Sequence, residues 1–163
     1  MSCFTAHYDS PLGGMTMVSD GHALTALCFE ETRKGACFAD GTSATTKLPV
    51  FDETRRWLDL YFAGEQPDFL PPLAPEGTPF QQRVWDILLT LPYGKTMSYR
   101  EVARRISPTM SAQAIGGAVG RNPIGIIIPC HRVIGADGSL TGYASGLDRK
   151  RWLLELEGLC LFS

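Results

Sequence analysis

Ser98-Tyr99-Arg100-Glu101-Val102-Ala103-Arg104-Arg105-Ile106, then Ser107-Pro108, then Ser111-Ala112-Gln113-Ala114-Ile115-Gly116-Gly117-Ala118-Val119-Gly120-Arg121-Asn122-Pro123 is the stretch on which the fold turns. Ser98 with Glu101 three residues on is a capping box, in which the serine hydroxyl accepts from a first-turn amide and the glutamate returns to the serine N–H. A short helix follows to about Ile106, with Val102 and Ile106 inward and Arg100, Arg104 and Arg105 outward. Ser107-Pro108 stops it. A further helix starts near Ser111, and Ala112, Ala114, Gly117 and Ala118 give it an unusually small-residue surface. Arg121-Asn122-Pro123 ends it. Two short helices across a tight turn, arginines outside, read as a helix-turn-helix, with an ordinary helical hairpin as the alternative.

Working upstream, Thr78-Pro79-Phe80-Gln81 is a second capping box with proline at the first helical position. It opens a helix to about Leu89 with Phe80, Val84, Trp85, Leu88 and Leu89 on its apolar face, ended by Leu91-Pro92-Tyr93-Gly94. Between Glu65 and Pro79 the five prolines Pro67, Pro71, Pro72, Pro75 and Pro79 exclude helix and suit an exposed linker. The expected organisation is residues 1–76 as an N-terminal supporting domain and residues 77–163 as a C-terminal domain. In the first, Ser10-Pro11-Leu12-Gly13-Gly14 separates runs of strand formers (Phe4 to Tyr8, Met15 to Ser19, Leu24 to Phe29), which read as a small antiparallel sheet. A helix from about Val50 to Phe62 follows. In the second, Ile124-Gly125-Ile126-Ile127-Ile128 reads as a buried strand leading into Pro129-Cys130-His131. Asp137-Gly138 marks a turn, Leu147 to Glu157 a last amphipathic helix, and Gly158 its stop. The fold class expected is α+β.

At 163 residues, 44% hydrophobic and 20% charged, the chain suits one domain or two small ones and can bury a core. No apolar run approaches the roughly 18–20 residues of a membrane crossing, and Met1-Ser2-Cys3-Phe4-Thr5 does not read as a signal peptide. A cytoplasmic address and no membrane partner are expected. The five cysteines, Cys3, Cys28, Cys37, Cys130 and Cys160, contain no C-x-x-C pair and read as free thiols. The formal net charge of −2 conceals an asymmetry of −6 over residues 1–80 and +4 over residues 81–163, so only the second half suits a phosphate-bearing partner.

The chemistry concentrates at Cys130-His131. An ordinary thiol with a pKa of about 8.5 is mostly protonated at neutral pH, and an imidazole beside it is the smallest arrangement that makes a sulfur nucleophile. Neighbours on a regular strand point to opposite faces, so the pair cooperates only across a sharp turn or through water, and Pro129 favours the turn. The acids available to orient the imidazole are Glu101, Asp137, Asp148, Glu155 and Glu157. A buried, inert thiol after a core strand is the competing reading. His7, His22, Cys3, Cys28 and Cys37 match no zinc spacing, and neither a metal nor a cofactor is expected.

Asn122-Pro123, five residues, Pro129-Cys130-His131-Arg132-Val133-Ile134, then Gly142-Tyr143 and Lys150-Arg151-Trp152-Leu153-Leu154-Glu155-Leu156-Glu157-Gly158 together closely resemble the O6-alkylguanine-DNA alkyltransferases. The match is strong from Gly77 to Gly158, including Gly77-Thr78-Pro79-Phe80 and Ser98-Tyr99; upstream it is limited to Ser10-Pro11-Leu12-Gly13 and the general layout. The resemblance implies a DNA repair protein, a methylated-DNA–protein-cysteine S-methyltransferase. Such a protein would extrude O6-alkylguanine from duplex DNA and move the alkyl group irreversibly to its own Cys130, in a single turnover and as a monomer. It further implies that His131 relays the thiol proton, Glu157 holds the imidazole, Tyr99 donates to the leaving base, Lys150 lies near O6, and Asn122 braces the cysteine. Val133, Tyr143, Ala144 and Ser145 would line the base pocket, and Ala112, Gln113, Ala114, Gly117 and Arg121 would face DNA, with Arg132 read as structural or as a phosphate contact on that DNA-facing side.

Two departures stand out. Gln113 occupies the recognition-helix position where many members carry an arginine, so base extrusion or duplex affinity is expected to be weaker. Ala144 stands where some carry a substrate-binding serine. A lesion-recognising module without repair activity is the alternative function, against which the presence of Cys130 argues; an unrelated Cys-His hydrolase is a third reading.

Overall fold

The structure is a computed structural model that describes residues 4–30, 47–140, 143 and 146–159. Backbone contacts divide the chain into two units, residues 1–76 with 123–125, and residues 77–122 with 126–163.

The first unit is built on a three-stranded antiparallel sheet, β1 (Phe4–Ser10), β2 (Gly13–Ser19) and β3 (Leu24–Phe29), in that order. The β1–β2 hairpin closes at Ser10↔Gly13, where the Ser10 hydroxyl accepts from Leu12 N (3.1 Å) and donates to Gly13 O (2.6 Å). Met15 to Ser19 are all buried, as befits a central strand covered on both faces. Helix α1 (Pro49–Phe62) buries Val50, Phe51, Thr54, Trp57, Leu58 and Tyr61, a helical repeat along one stripe. Tyr8 ties β1 to it by donating to Asp59 Oδ1 (2.7 Å).

The other edge of β3 is satisfied by two irregular segments. Leu24 N donates to Pro72 O and Ala74 N to Leu24 O, both at 2.8 Å; Leu27 N donates to Pro123 O and Gly125 N to Leu27 O, both at 2.9 Å. The proline-rich segment is therefore not simply an exposed linker: Pro71 is buried, and residues 72–74 blunt a sheet edge, a place where proline's missing N–H costs nothing. Cys28 is disulfide-bonded, which corrects the expectation of five free thiols. Cys3, Cys37 and Cys160 lie outside the described residues.

In the second unit, α2 (Pro79–Leu89) starts with both bonds of the Thr78/Gln81 capping box in place. Gly77 is required there, since a Cβ would lie 2.4 Å from the Trp85 ring. Helices α3 (Tyr99–Ile106) and α4 (Ala112–Gly120) begin at the Ser98 and Ser111 caps. Val102 and Ala103 of α3 are buried, as are Ile115, Ala118 and Val119 of α4. Trp85 Nε1 donates to Ala118 O (2.9 Å), pinning α2 to α4. The two-residue strands β4 (Met97–Ser98) and β5 (Val133–Ile134) pair in parallel, and α5 (Leu147–Leu156) closes the unit.

Residues 124–128 are not a strand. Ile124 makes one isolated bridge to Leu27, and the chain then turns through Ile126 at φ 68°. Four isoleucines make the segment apolar enough to be buried, but burial fixes no backbone conformation, and a left-handed residue breaks any ladder. The short strand of this region comes after the cysteine, not before it.

Candidate active site

Pro129 has φ −80° and ψ 66°, an inverse γ-turn, and Cys130 N donates back to Ile128 O at 2.7 Å. The next three residues, Cys130–Arg132, form a 3₁₀ turn. Successive residues of such a turn point about 120° apart, so Cys130 and His131 escape the opposed directions of a strand and His131 and Arg132 both reach the interior. Val133 then pairs with Met97 and Ile134 with Ser98. Because Ser98 is also the cap of α3, that pairing fixes Tyr99 relative to the cysteine turn.

Helix α5 brings the opposing charges. Lys150, Leu153, Leu154 and Glu157 recur at helical spacing and are all buried. Glu157 accepts from His131 Nε2 (2.7 Å) and Arg132 Nη2 (3.2 Å) on Oε2, and from Arg132 Nε (2.8 Å) and Gly94 N (2.9 Å) on Oε1. Arg132 Nη1 donates to Leu91 O (2.8 Å), and its guanidinium lies 5.9 Å from the centre of the Tyr93 ring. Lys150 Nζ donates to Val133 O (2.5 Å) and lies 5.9 Å from the centre of the Tyr99 ring. Asn122 Nδ2 donates to Ile128 O (2.9 Å), and the same side chain hydrogen-bonds Cys130. It thus holds both ends of the γ-turn.

Burial and charge set the protonation states. Burial alone would raise Glu157, but the bonds and charges of His131 and Arg132 outweigh it and hold the carboxyl at about 2. Burial lowers His131 below its ordinary 6.5; Glu157 opposes this, and the Arg132 and Lys150 cations reinforce it. Burial likewise lowers Lys150 to about 8. For Cys130, burial raises the thiol, and the Asn122 bond and Lys150 charge only partly offset the rise. At neutral pH the resting group is therefore a thiol beside a neutral imidazole. Cys130 is 7% exposed.

Cys130, His131, Glu157, Asn122, Lys150, Tyr99 and Val133 are thus assembled around one turn. Gln113, Ala112 and Gly117 are exposed on α4, with Ala114 half-buried and Arg121 exposed at its C-cap. Arg132, open between a structural role and a phosphate contact, is buried, with its Nε, Nη1 and Nη2 donating inside the protein, which corrects the DNA-facing alternative. Tyr143 is half-buried and accepts from Gly146 N (3.0 Å); Gly142, Ala144 and Ser145 lie outside the described residues. Sequence reasoning missed the loop Leu91–Gly94, reading it only as a helix stop. The signal was Gly94, whose φ of 78° and amide bond to Glu157 leave little room for a side chain, since a Cβ would approach Glu157 O to 3.2 Å. Among the described residues no group of three or more His, Cys, Asp or Glu is placed to hold a metal ion, and no helix is long and apolar enough to cross a membrane.

Two family models match the chain: the 6-O-methylguanine DNA methyltransferase ribonuclease-like domain over residues 4–75 and the DNA binding domain of the same proteins over residues 79–159. The chain is 46% identical over 157 residues to a methylated-DNA–protein-cysteine methyltransferase of Methanosarcina acetivorans, spanning 96% of this chain and 99% of that protein. It is 49% identical over 155 residues to the protein of the same name from Mycobacterium tuberculosis, spanning 93% and 92%. Among solved structures, the Mycobacterium tuberculosis O6-methylguanine methyltransferase superposes with a TM-score of 0.85 at 46% identity, covering 95% of this chain and 92% of that one. Mycobacterium tuberculosis OGT in complex with DNA matches with the same score and identity over 94% and 92%.

Proposed function

The chain belongs to the 6-O-methylguanine DNA methyltransferase family, and from that membership we propose that Cys130 is its alkyl acceptor and O6-alkylguanine in duplex DNA its substrate. It is a DNA repair protein of the methylated-DNA–protein-cysteine methyltransferase class, moving an alkyl group from DNA to a cysteine of its own.

The reaction begins with a lesion base turned out of the duplex, since the O6 substituent is beyond the reach of a buried sulfur while the base stays stacked. Gln113, Ala112, Ala114 and Gly117 of α4 face the groove, with Arg121 at the backbone. His131 keeps its Nε2 proton on Glu157, so Nδ1 receives the Cys130 proton through a water. Sγ bonds to the alkyl carbon as the carbon–O6 bond breaks, and the bonding pair leaves with the guanine. The Tyr99 hydroxyl protonates the departing base, and Lys150, held at Val133 O beside the Tyr99 ring, stabilises charge on the O6 side. The product thioether has no leaving path, so each chain serves one lesion. The reading places the protein in the cytoplasm and as a monomer, one acceptor within one chain.

The observation that supports it most is the 2.7 Å bond from His131 Nε2 to the Glu157 carboxylate on the same tight turn that carries Cys130. The test is incubation with a duplex containing O6-methylguanine followed by intact-mass measurement. The expected result is a gain of one methyl that Cys130→Ala abolishes. No gain, or a gain that survives Cys130→Ala, overturns it; tight lesion binding without any gain would instead identify a recognition module.

A further inference from the structure

Arg132 directly follows the histidine of the relay, yet its guanidinium turns into the protein and clasps the carboxylate that the histidine uses. Nε and Nη2 reach opposite oxygens of Glu157 at 2.8 and 3.2 Å, and Nη1 reaches Leu91 O at 2.8 Å. We propose that Arg132 is a positioning residue for the alkyl transfer, one that fixes and neutralises the Glu157 carboxylate so that His131 stays a neutral proton acceptor at physiological pH. The inference rests on the reading of His131 as the proton relay of Cys130.

The geometry carries the argument. Glu157 Oε2 receives His131 and Arg132 together, while Oε1 receives Arg132 and Gly94 N. A bidentate fork of this kind sets the plane of the carboxylate, which a single bond to histidine cannot do. Tyr93 donates its hydroxyl to Leu156 O at 3.3 Å and lays its ring under the guanidinium, tying the Leu91–Gly94 loop to the end of α5 from which Glu157 projects. The charge balance follows. The groups facing His131 are Glu157 and Lys150 from α5 and Cys130 and Arg132 from its own turn, while Tyr93 from the loop faces Arg132 and Glu157. With Arg132 present, the ion pair is internally neutral. Without it, a lone buried carboxylate would lie against the imidazole and the pair would take up a proton. That proton produces either an imidazolium or a neutral carboxylic acid donating to Nε2, which shifts the ring proton to Nδ1. In both forms Nδ1 can no longer accept from the thiol. The depressed basicity of His131, to which the Arg132 charge contributes, fits this account.

The test is the pH dependence of single-turnover methyl transfer from an O6-methylguanine duplex to the full chain, compared among wild type, Arg132→Met and Arg132→Lys. In Arg132→Met the acid limb should move up by about one pH unit or more, the effect of one adjacent charge, so that transfer near the wild-type acid limb drops about tenfold and recovers toward wild type at higher pH. Arg132→Lys keeps the charge but not the fork; its acid limb should stay near that of wild type while its rate falls at every pH. A uniform loss in Arg132→Met with an unmoved limb would overturn the proposal and leave Arg132 a packing residue. If Arg132→Met does not fold, nitrogen-15 spectra of the His131 ring in the wild type decide. The proposal requires a neutral ring with its proton on Nε2 at neutral pH, and an imidazolium or an Nδ1–H tautomer there refutes it. A wild type that transfers no methyl at any pH indicts the assignment of the reaction, not this inference, which the ring spectra test without turnover.

Discussion

His131 and Glu157 are individually ordinary residues made useful by burial. Glu157→Gln retains the shape but replaces the anion, so the expected cost to methyl transfer is about 10²–10⁴-fold, the range for losing acid–base assistance. Duplex binding should be unaffected, which gel-shift titration alongside rapid-quench kinetics would show. His131 lies below 6.5, so the wild-type rate should hold as pH falls through the ordinary histidine range and fail only at lower pH. A loss centred at or above 6.5 would contradict the burial argument. The sharp turn at Cys130-His131 was legible in the dipeptide and the proline before it. Glu157 was one acid among five until the family resemblance singled it out, and Arg132 stood open between a structural role and a phosphate contact. An arginine beside a surface-bound motif ordinarily faces phosphate. Only the 3₁₀ turn, a feature of backbone geometry that carries no composition signal, rotates it inward.

Among the elements, helices were the most legible because their ends carry chemistry. Thr78, Ser98 and Ser111 all accept from the third helical amide as their spacing demanded. Ser98→Ala should cost about 1 kcal/mol as a lost cap, and because Ser98 also pairs with Ile134 it should slow transfer as well. Chemical denaturation and transfer kinetics on the same variant test both. The apolar run 124–128 was misread as a strand because isoleucines report burial and strand preference together, while the turn at Ile126 leaves no sequence mark. On α4, Gln113 is exposed and uncharged. Gln113→Arg should tighten duplex binding and steepen its salt dependence by about one unit in the log–log slope, the contribution of one added phosphate contact. An unchanged slope would remove α4 residue 113 from the DNA-facing surface.

For the whole molecule, the two charged halves imply different behaviour toward DNA and acid. Affinity for duplex should fall as salt rises, since the excess positive charge lies in residues 81–163. The stability that His131 contributes should be full above pH 6.5 and decline below it, because the unfolded chain protonates His131 before the folded one does. A second loss should begin below about 4.5 and run toward 2 as unfolded Glu157 takes up its proton first. Urea titrations across pH would show both steps, and Glu157→Gln should lack the second. Breaking the Arg132–Glu157 pair by Arg132→Met should cost about 3–5 kcal/mol, the penalty for stranding a buried charge. Backbone contacts divide the chain after Glu76, beside the proline-rich segment, and return residues 123–125 to the first unit, a placement that depends on which backbone groups β3 leaves unpaired and leaves no sequence mark.

The most direct measurement follows a labelled methyl group from O6 of guanine in a duplex to its final atom, by proteolysis and tandem mass spectrometry of the exhausted protein. The account predicts one label per chain, on the sulfur of the peptide containing Cys130, with unmodified guanine left in the DNA. Label on any other residue, or an unlabelled Cys130 after the lesion has gone, would contradict it.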